Sequence, residues 1–171
     1  LTKVYREIKA FSEHATLYDR MQLALQLTLQ KLDQAIASNN TEQALEIIAK
    51  DASYVNKKTT FVFQSNWHKG VVGIVASRLI EKYYRPTIVL TESDGKISGS
   101  ARSVKDFDVY NAIEKCSDLL EQFGGHKYAA GLTLSKENIE PFKIKFENVV
   151  SESITEEQLI PKIEIDTEIE F

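Results

Sequence analysis

The sequence predicts an α/β fold, a mixed sheet flanked by helices, preceded by an all-helical N-terminal segment. Three observations carry this expectation. Residues 1–58 contain neither Gly nor Pro and are rich in Leu, Gln, Ala and Lys, a helix-forming composition. All seven glycines, at 70, 73, 95, 99, 124, 125 and 131, fall between His68 and Leu132, so specialised backbone is concentrated in the middle of the 171 residues. From Thr59 onward, short β-rich runs alternate with segments of helical period.

The elements follow in order. In "LYDRMQLALQLTLQKLDQAIAS" the apolar positions Leu17, Met21, Leu25, Leu29, Leu32 and Ile36 recur at helical spacing and predict one buried stripe. "SNNTEQALEIIAKDA" offers Asn40 or Thr41 as the N-cap of a further helix, with Ala44, Leu45, Ile47 and Ile48 behind it. The N-terminal segment is therefore expected in two or three helical pieces, serving as a connector or a bundle. "TTFVFQS" reads as a strand, "HKGVVGIVASRLIEKYY" as a helix and "PTIVLTE" as a strand, and Asp94-Gly95 is a hairpin signal into "KISGSARS". "DVYNAIEKCSDLLEQF" reads as helix, "HKYAAGLTL" as strand, and "KENIEPFKIKFENVVSES" as helix with Pro141 near its first turn. The resulting order is β-α-β-β-α-β-α. Past Ser151, "ITEEQLIPKIEIDTEIEF" is an acidic connector followed by strand-like alternation. We expect it to open a further domain, because one amphipathic strand cannot bury its face alone. The expected divisions are residues 1–58, 59–150 and 151–171.

Composition excludes several classes. Hydrophobic content of 43% and charged content of 27% fit a soluble globular chain. No run approaches the roughly 18 apolar residues of a membrane span. The start "LTKVYREIKA" has no apolar core of a secretory signal, and without an initiating Met the sequence is expected to be a piece of something longer. The lone Cys116 excludes an intramolecular disulfide framework and a thiolate zinc site, and suits a reducing cytoplasm. Residues 1–59 and 60–134 each carry a net charge of +1, and residues 135–171 carry −6. Net charge alone therefore gives no support to nucleic-acid binding, and any phosphate contact must come from local chemistry.

Three constellations supply such chemistry. In "SNWHKGVVGIVASRL", a strand leads through Asn66, Trp67, His68 and Gly70 into a helix whose free N-terminal N–H groups suit either an anion or an ordinary cap. It lacks the glycine spacing of a dinucleotide fingerprint and the Lys-Ser/Thr of a phosphate loop. In "KISGSARS", Gly99, Ser100, Ala101 and Ser103 surround Arg102 with small residues where a packed strand prefers bulk. Hydroxyls and a guanidinium there suit a phosphate, and a solvated edge strand with a surface Arg is the alternative. In "EQFGGHKYAAGLTL", Gly124-Gly125 either cap a helix or expose consecutive N–H groups as an anion-binding concavity beside His126. His14, His68 and His126 are too far apart in sequence to suggest a metal site, and Asp106 and Asp108 fit the cap of the following helix better than a cation.

"WHKGVVGIVASRL", "GSARS" and "CSDLLEQFGGHKYAAGLTL", in this order, resemble the DHH-associated domain of the RecJ family of single-strand-specific DNA exonucleases. The resemblance covers roughly residues 60–150. It implies a two-part active site, in which a preceding DHH domain holds two Mn or Mg ions that activate water for hydrolysis from the 5′ end. The associated domain then closes the cleft opposite and binds single-stranded DNA. Carried over, Ser100, Arg102 and Ser103 contact phosphate, Gly124, Gly125 and His126 face the scissile phosphate, and Trp67 and His68 sit at the helix entrance near the same groove. "PKIEIDTEIEF" is similar to the start of the oligonucleotide-binding barrel that follows in that family. No Asp-His-His occurs in these residues, so no hydrolytic activity is expected of them alone. A phosphodiesterase of the same superfamily, acting on short oligoribonucleotides or cyclic dinucleotides, and a non-catalytic binding module using the N-terminal helices are the alternatives. Residues 1–40 match nothing placed by the resemblance.

Overall fold

A computed structural model describes residues 17–162; His14 and most of the strand-like alternation after Pro161 lie outside them. The chain divides into two compact units between Ile36 and Ala37. The first is described by the opening turns of helix α1, Leu17–Lys50. This helix runs unbroken, so Asn40 and Thr41 are interior residues and not caps of a separate helix. Thr41 returns its hydroxyl to the carbonyl of Ala37, a bond open to a mid-helix threonine. The expected buried stripe is also corrected: Met21, Leu25, Leu29 and Leu32 are each at least 50% exposed. Spacing fixes which residues share a helix face, but it does not specify what covers that face. Burial on α1 begins instead with Ala37, Asn40, Ala44 and Ile48, within the second unit.

That unit is built on a five-stranded sheet of order β1-β2-β3-β5-β4. The strands are β1, Thr60–Phe63; β2, Thr87–Ser93; β3, Lys96–Arg102; β4, Gln122–His126; and β5, Ala129–Leu134. β1 and β2 are parallel and the other pairings antiparallel, so the mixed sheet is as expected. Helix α2, Val72–Tyr83, connects the parallel pair, since parallel neighbours need a crossover. Asp94 and Gly95 both have positive φ, 55° and 75°, the backbone of a two-residue hairpin turn that matches strand twist. Helices α3, Val109–Glu114, and α4, Ile139–Ser153, complete the unit. Asp108 caps α3 through the N–H of Asn111.

The sequence expectation fails at β4. A helix through Phe123 is replaced by a short α3, a 3-10 turn at Ser117–Leu119 and an edge strand. Pairing with β5 explains the change: Phe123 lies opposite Leu132 on the core side and meets the Tyr110 ring at 5.7 Å, while two glycines gain nothing from helix. The Gly-Gly-His run is therefore neither a helix cap nor a nest of converging donors. Successive groups of an extended strand point in opposite directions.

The two sheet faces are covered unequally. On one, Phe61, Ile88, Leu90, Ile97, Ala101 and Leu132 pack against α3 and α4, with Phe142, Phe146 and Val150 fully buried. On the other, α2 lies over β2 and β3 with Val72, Val75, Ala76 and Leu79 buried. β4 remains almost wholly exposed on this side. Arg85 fastens the segment preceding β1: its guanidinium donates to the carbonyls of Tyr54 and Lys57 and to the Thr60 hydroxyl. Burial pushes the Tyr54 phenol up to about 12, and its hydroxyl donates to the Phe61 carbonyl.

Candidate functional site

Strand register turns three sequence motifs into one surface. On the face that α2 only half covers, β3 presents Ser98, Ser100 and Arg102, because alternate side chains of a strand share a face. Opposite these, in register, stand Thr133, Gly131 and Ala129 of β5, and opposite those, Gln122, Gly124 and His126 of β4. The result is three rows across three strands: His126, Ala129 and Arg102; Gly124, Gly131 and Ser100; Gln122, Thr133 and Ser98. A groove of about 520 Å³ runs over the second and third rows and reaches Arg102 of the first, walled on the other side by Lys69, Gly70, Val72 and Gly73 at the start of α2; His126 and Ala129 lie on the same sheet face but do not line it. That volume suits a small ligand or one nucleotide unit of a polymer.

The middle row is bare at its two glycines. A Cβ on Gly124 meets nothing within 4 Å, and one on Gly131 meets only the Gly99 carbonyl at 3.9 Å. Nothing among the described residues requires these positions to lack side chains, so the bare floor is available to whatever occupies the groove. Gly125 differs: its φ is +152°, and a Cβ there would stand 2.3 Å from the Ala129 carbonyl oxygen. It is needed for the hairpin itself.

Arg102 supplies the charge. Its Nη1 donates to the Ser100 hydroxyl at 2.6 Å and to the Ala101 carbonyl at 2.9 Å. Its Nη2 lies so close to α2 that a Cβ on Gly73 would be 2.7 Å away, so that glycine admits the guanidinium to the first turn of the helix. Burial lowers the pKa of Arg102, and no acidic neighbour offsets the burial. Among the described residues it has no carboxylate partner, and the groove lining contains no Asp or Glu. The N-cap position of α2, Val71, provides no side-chain cap, which leaves first-turn N–H groups beside the same guanidinium.

His126 stands exposed at the end of the charged row. Its Nδ1 accepts from the Tyr128 N–H at 3.3 Å, so in the neutral imidazole the proton sits on Nε2, ready to donate. His68 has the same arrangement through the Gly70 N–H at 3.2 Å, on the turn leading into α2, and does not line the groove. Trp67 is 5% exposed; its indole N–H donates to Gln43 on α1 and its carbonyl accepts from Thr91. Ser103 lies past the end of β3, with its hydroxyl on the Phe107 carbonyl. Of the residues singled out by motif, the structure thus gathers Ser100, Arg102, Gly124 and His126 on one face. It uses Trp67, Ser103 and Gly125 in holding that face together.

Lys69, Ser98, Gln122, Gly131 and Thr133 line the groove without having been singled out as site residues. Alternation along β3 was enough to find Ser98, which shares parity with Ser100 and Arg102. Gln122 required recognising β4 as a strand. No group of three or more His, Cys, Asp or Glu among the described residues could hold a metal ion, and the donor set of the groove fits an anion, not a divalent cation. No helix among the described residues is long and apolar enough to cross a membrane.

The DHHA1 domain family matches residues 51–152. The single-stranded-DNA-specific exonuclease RecJ of Bacillus subtilis (strain 168) is 37% identical over 140 residues, which cover 81% of this chain and 18% of that protein. RecJ of Salmonella typhimurium is 40% identical over 96 residues, covering 53% of this chain and 17% of that protein. The crystal structure of RecJ in complex with Mg2+ from Thermus thermophilus matches with a TM-score of 0.67 at 26% identity, over 78% of this chain and 20% of that one. A Mn2+ complex from the same organism matches with a TM-score of 0.68, also at 26% identity, over 78% of this chain and 19% of that one. The chain spans about a fifth of the length of these relatives.

Proposed function

This chain belongs to the DHHA1 domain family, and from that premise we propose that it is the substrate-binding half of a RecJ-type exonuclease, gripping the phosphate backbone of single-stranded DNA. Residues 59–150 carry the groove, residues 1–58 connect it to a preceding DHH domain of the same parent chain, and residues 151–171 lead into an oligonucleotide-binding barrel. The metals, Mn or Mg, are assigned to the DHH domain. In this reading the parent enzyme works in the cytoplasm and hydrolyses from the 5′ end.

The observation that carries the reading is Arg102: a part-buried guanidinium with no acidic partner among the described residues, beside a floor that is bare at Gly124 and Gly131. A desolvated cation is stable when an anion completes it. A DNA phosphate supplies that anion, and the Ser100 hydroxyl and the first-turn N–H groups of α2 add donors. The exonucleases to which the chain is similar are named for single-stranded DNA, which supports the choice of polymer.

His126 donates from Nε2 to a phosphate oxygen as negative charge grows there. In the intact metal-loaded protein, His126→Ala is expected to lower kcat roughly tenfold with little change in KM, the pattern of a contact made chiefly in the transition state. Steady-state kinetics on a single-stranded oligonucleotide checks this. An effect confined to thermal stability would return His126 to a purely structural role.

A further inference from the structure

Besides Lys69 on the α2 wall, three polar side chains of the groove remain without a task. Ser98, Thr133 and Gln122 form its outer row, adjacent in register across β3, β5 and β4. Each lines the groove. None of the three side chains has a hydrogen-bond partner among the described residues. For Ser98 this is notable, because it is only 5% exposed. Its hydroxyl is not sealed in, since among the described residues Asn40 Nδ2 alone is a buried side-chain atom without a partner, so it opens into the groove and is available to an occupant.

The rows have a polarity. Arg102 folds back along β3 to Ser100, so the cationic end lies over the first and second rows and beside the start of α2. The third row is a further two residues along the strands, about 7 Å beyond Ser100. It carries no charge, but two hydroxyls and one amide that both donate and accept. The bare second row lies between them.

We propose that Ser98, Thr133 and Gln122 form a nucleoside subsite, in which they hydrogen-bond the base edge of the nucleotide whose phosphate is held at Arg102, the glycine row passing beneath its sugar. The inference rests on the phosphate reading above and adds the direction in which the nucleotide lies. Groups that each donate and accept satisfy the edge of any of the four bases, so the subsite senses the presence of a base more than its identity. Phosphate contacts position a nucleic acid, while base contacts add a term that a phosphate alone cannot supply.

The test uses the intact parent protein, a fully based 5′-phosphorylated oligodeoxynucleotide and a set of the same strand with a single abasic residue at each of the first few positions in turn. For the unaltered protein, one abasic position is expected to weaken binding roughly three- to tenfold, the worth of one or two hydrogen bonds. Gln122→Ala and Thr133→Val are each expected to weaken binding of the fully based strand and to shrink that abasic penalty toward none. Gln122 is exposed on an edge strand, so its replacement leaves the fold intact even where Ser98→Ala does not. An abasic penalty that persists in full in both variants would overturn the subsite. So would phosphate-dependent binding, lost with Arg102→Ala, that no abasic position affects; there the phosphate reading stands and this one fails. Absence of binding to any oligonucleotide overturns both.

Discussion

Gly124→Val and Gly125→Ala, one position apart, are expected to fail in opposite ways. Gly125 has φ +152°, and an added Cβ would meet the Ala129 carbonyl oxygen at 2.3 Å and the Ala130 Cα at 2.5 Å. Both obstacles are backbone of the paired strand and cannot rotate away. Gly125→Ala should cost about 3 kcal/mol of stability and lower the thermal midpoint by roughly 10 °C, measured by denaturation. At Gly124 an added Cβ meets nothing, and valine suits a strand. Gly124→Val should therefore melt at or above the unaltered midpoint while standing its methyl groups on the groove floor. There it displaces the nucleotide, with an expected loss on the order of 100-fold in kcat/KM on single-stranded DNA, since a misplacement of about 1 Å has that effect. Unaltered kinetics in a folded Gly124→Val protein would show that nothing approaches the floor.

Arg102→Ala carries the second large effect. In the intact protein it is expected to weaken single-stranded DNA binding or turnover at least tenfold, on the order of 1.4 kcal/mol or more, because a charge-assisted grip on phosphate is lost. Its affinity should also depend less steeply on salt, by about one unit in the slope of log K against log salt. Stability is the discriminating readout. The guanidinium is part-buried without an acidic partner, so its removal relieves desolvation as it deletes two hydrogen bonds. The thermal midpoint should move little. Arg102→Lys keeps the charge but loses the planar fork, and should recover only part of the affinity. A destabilised Arg102→Ala protein with unchanged kinetics on both DNA and short RNA would remove the site assignment.

How far these positions could be found from sequence depends on the range of the interactions that define them. Asp94-Gly95 and Asp108 were legible because a turn and a cap are settled within a few residues. Ser100 and Arg102 were legible because small and charged residues stood where a packed strand prefers bulk. β4 was not, because "CSDLLEQF" continues a helical pattern locally and only pairing with β5 overrides it. Ser98, Gln122 and Thr133 become neighbours only through register across three strands, and no motif contains all three. The Met21, Leu25, Leu29 and Leu32 stripe failed differently: the shared face was legible, its covering was not.

The connections behind the groove have a mechanical consequence. β3 leaves Arg102 directly into Ser103, whose N–H is bonded to the Tyr128 carbonyl at 3.0 Å, two residues from His126. The next element begins with the Val109 N–H on the Lys127 carbonyl, again at 3.0 Å. The guanidinium and the imidazole are thus fixed to one frame, tied at the hairpin tip by backbone and not by side chains. On the proposed function, any opening or closing around a strand carries both as a single jaw, and a pull on a phosphate at one is a load on the other.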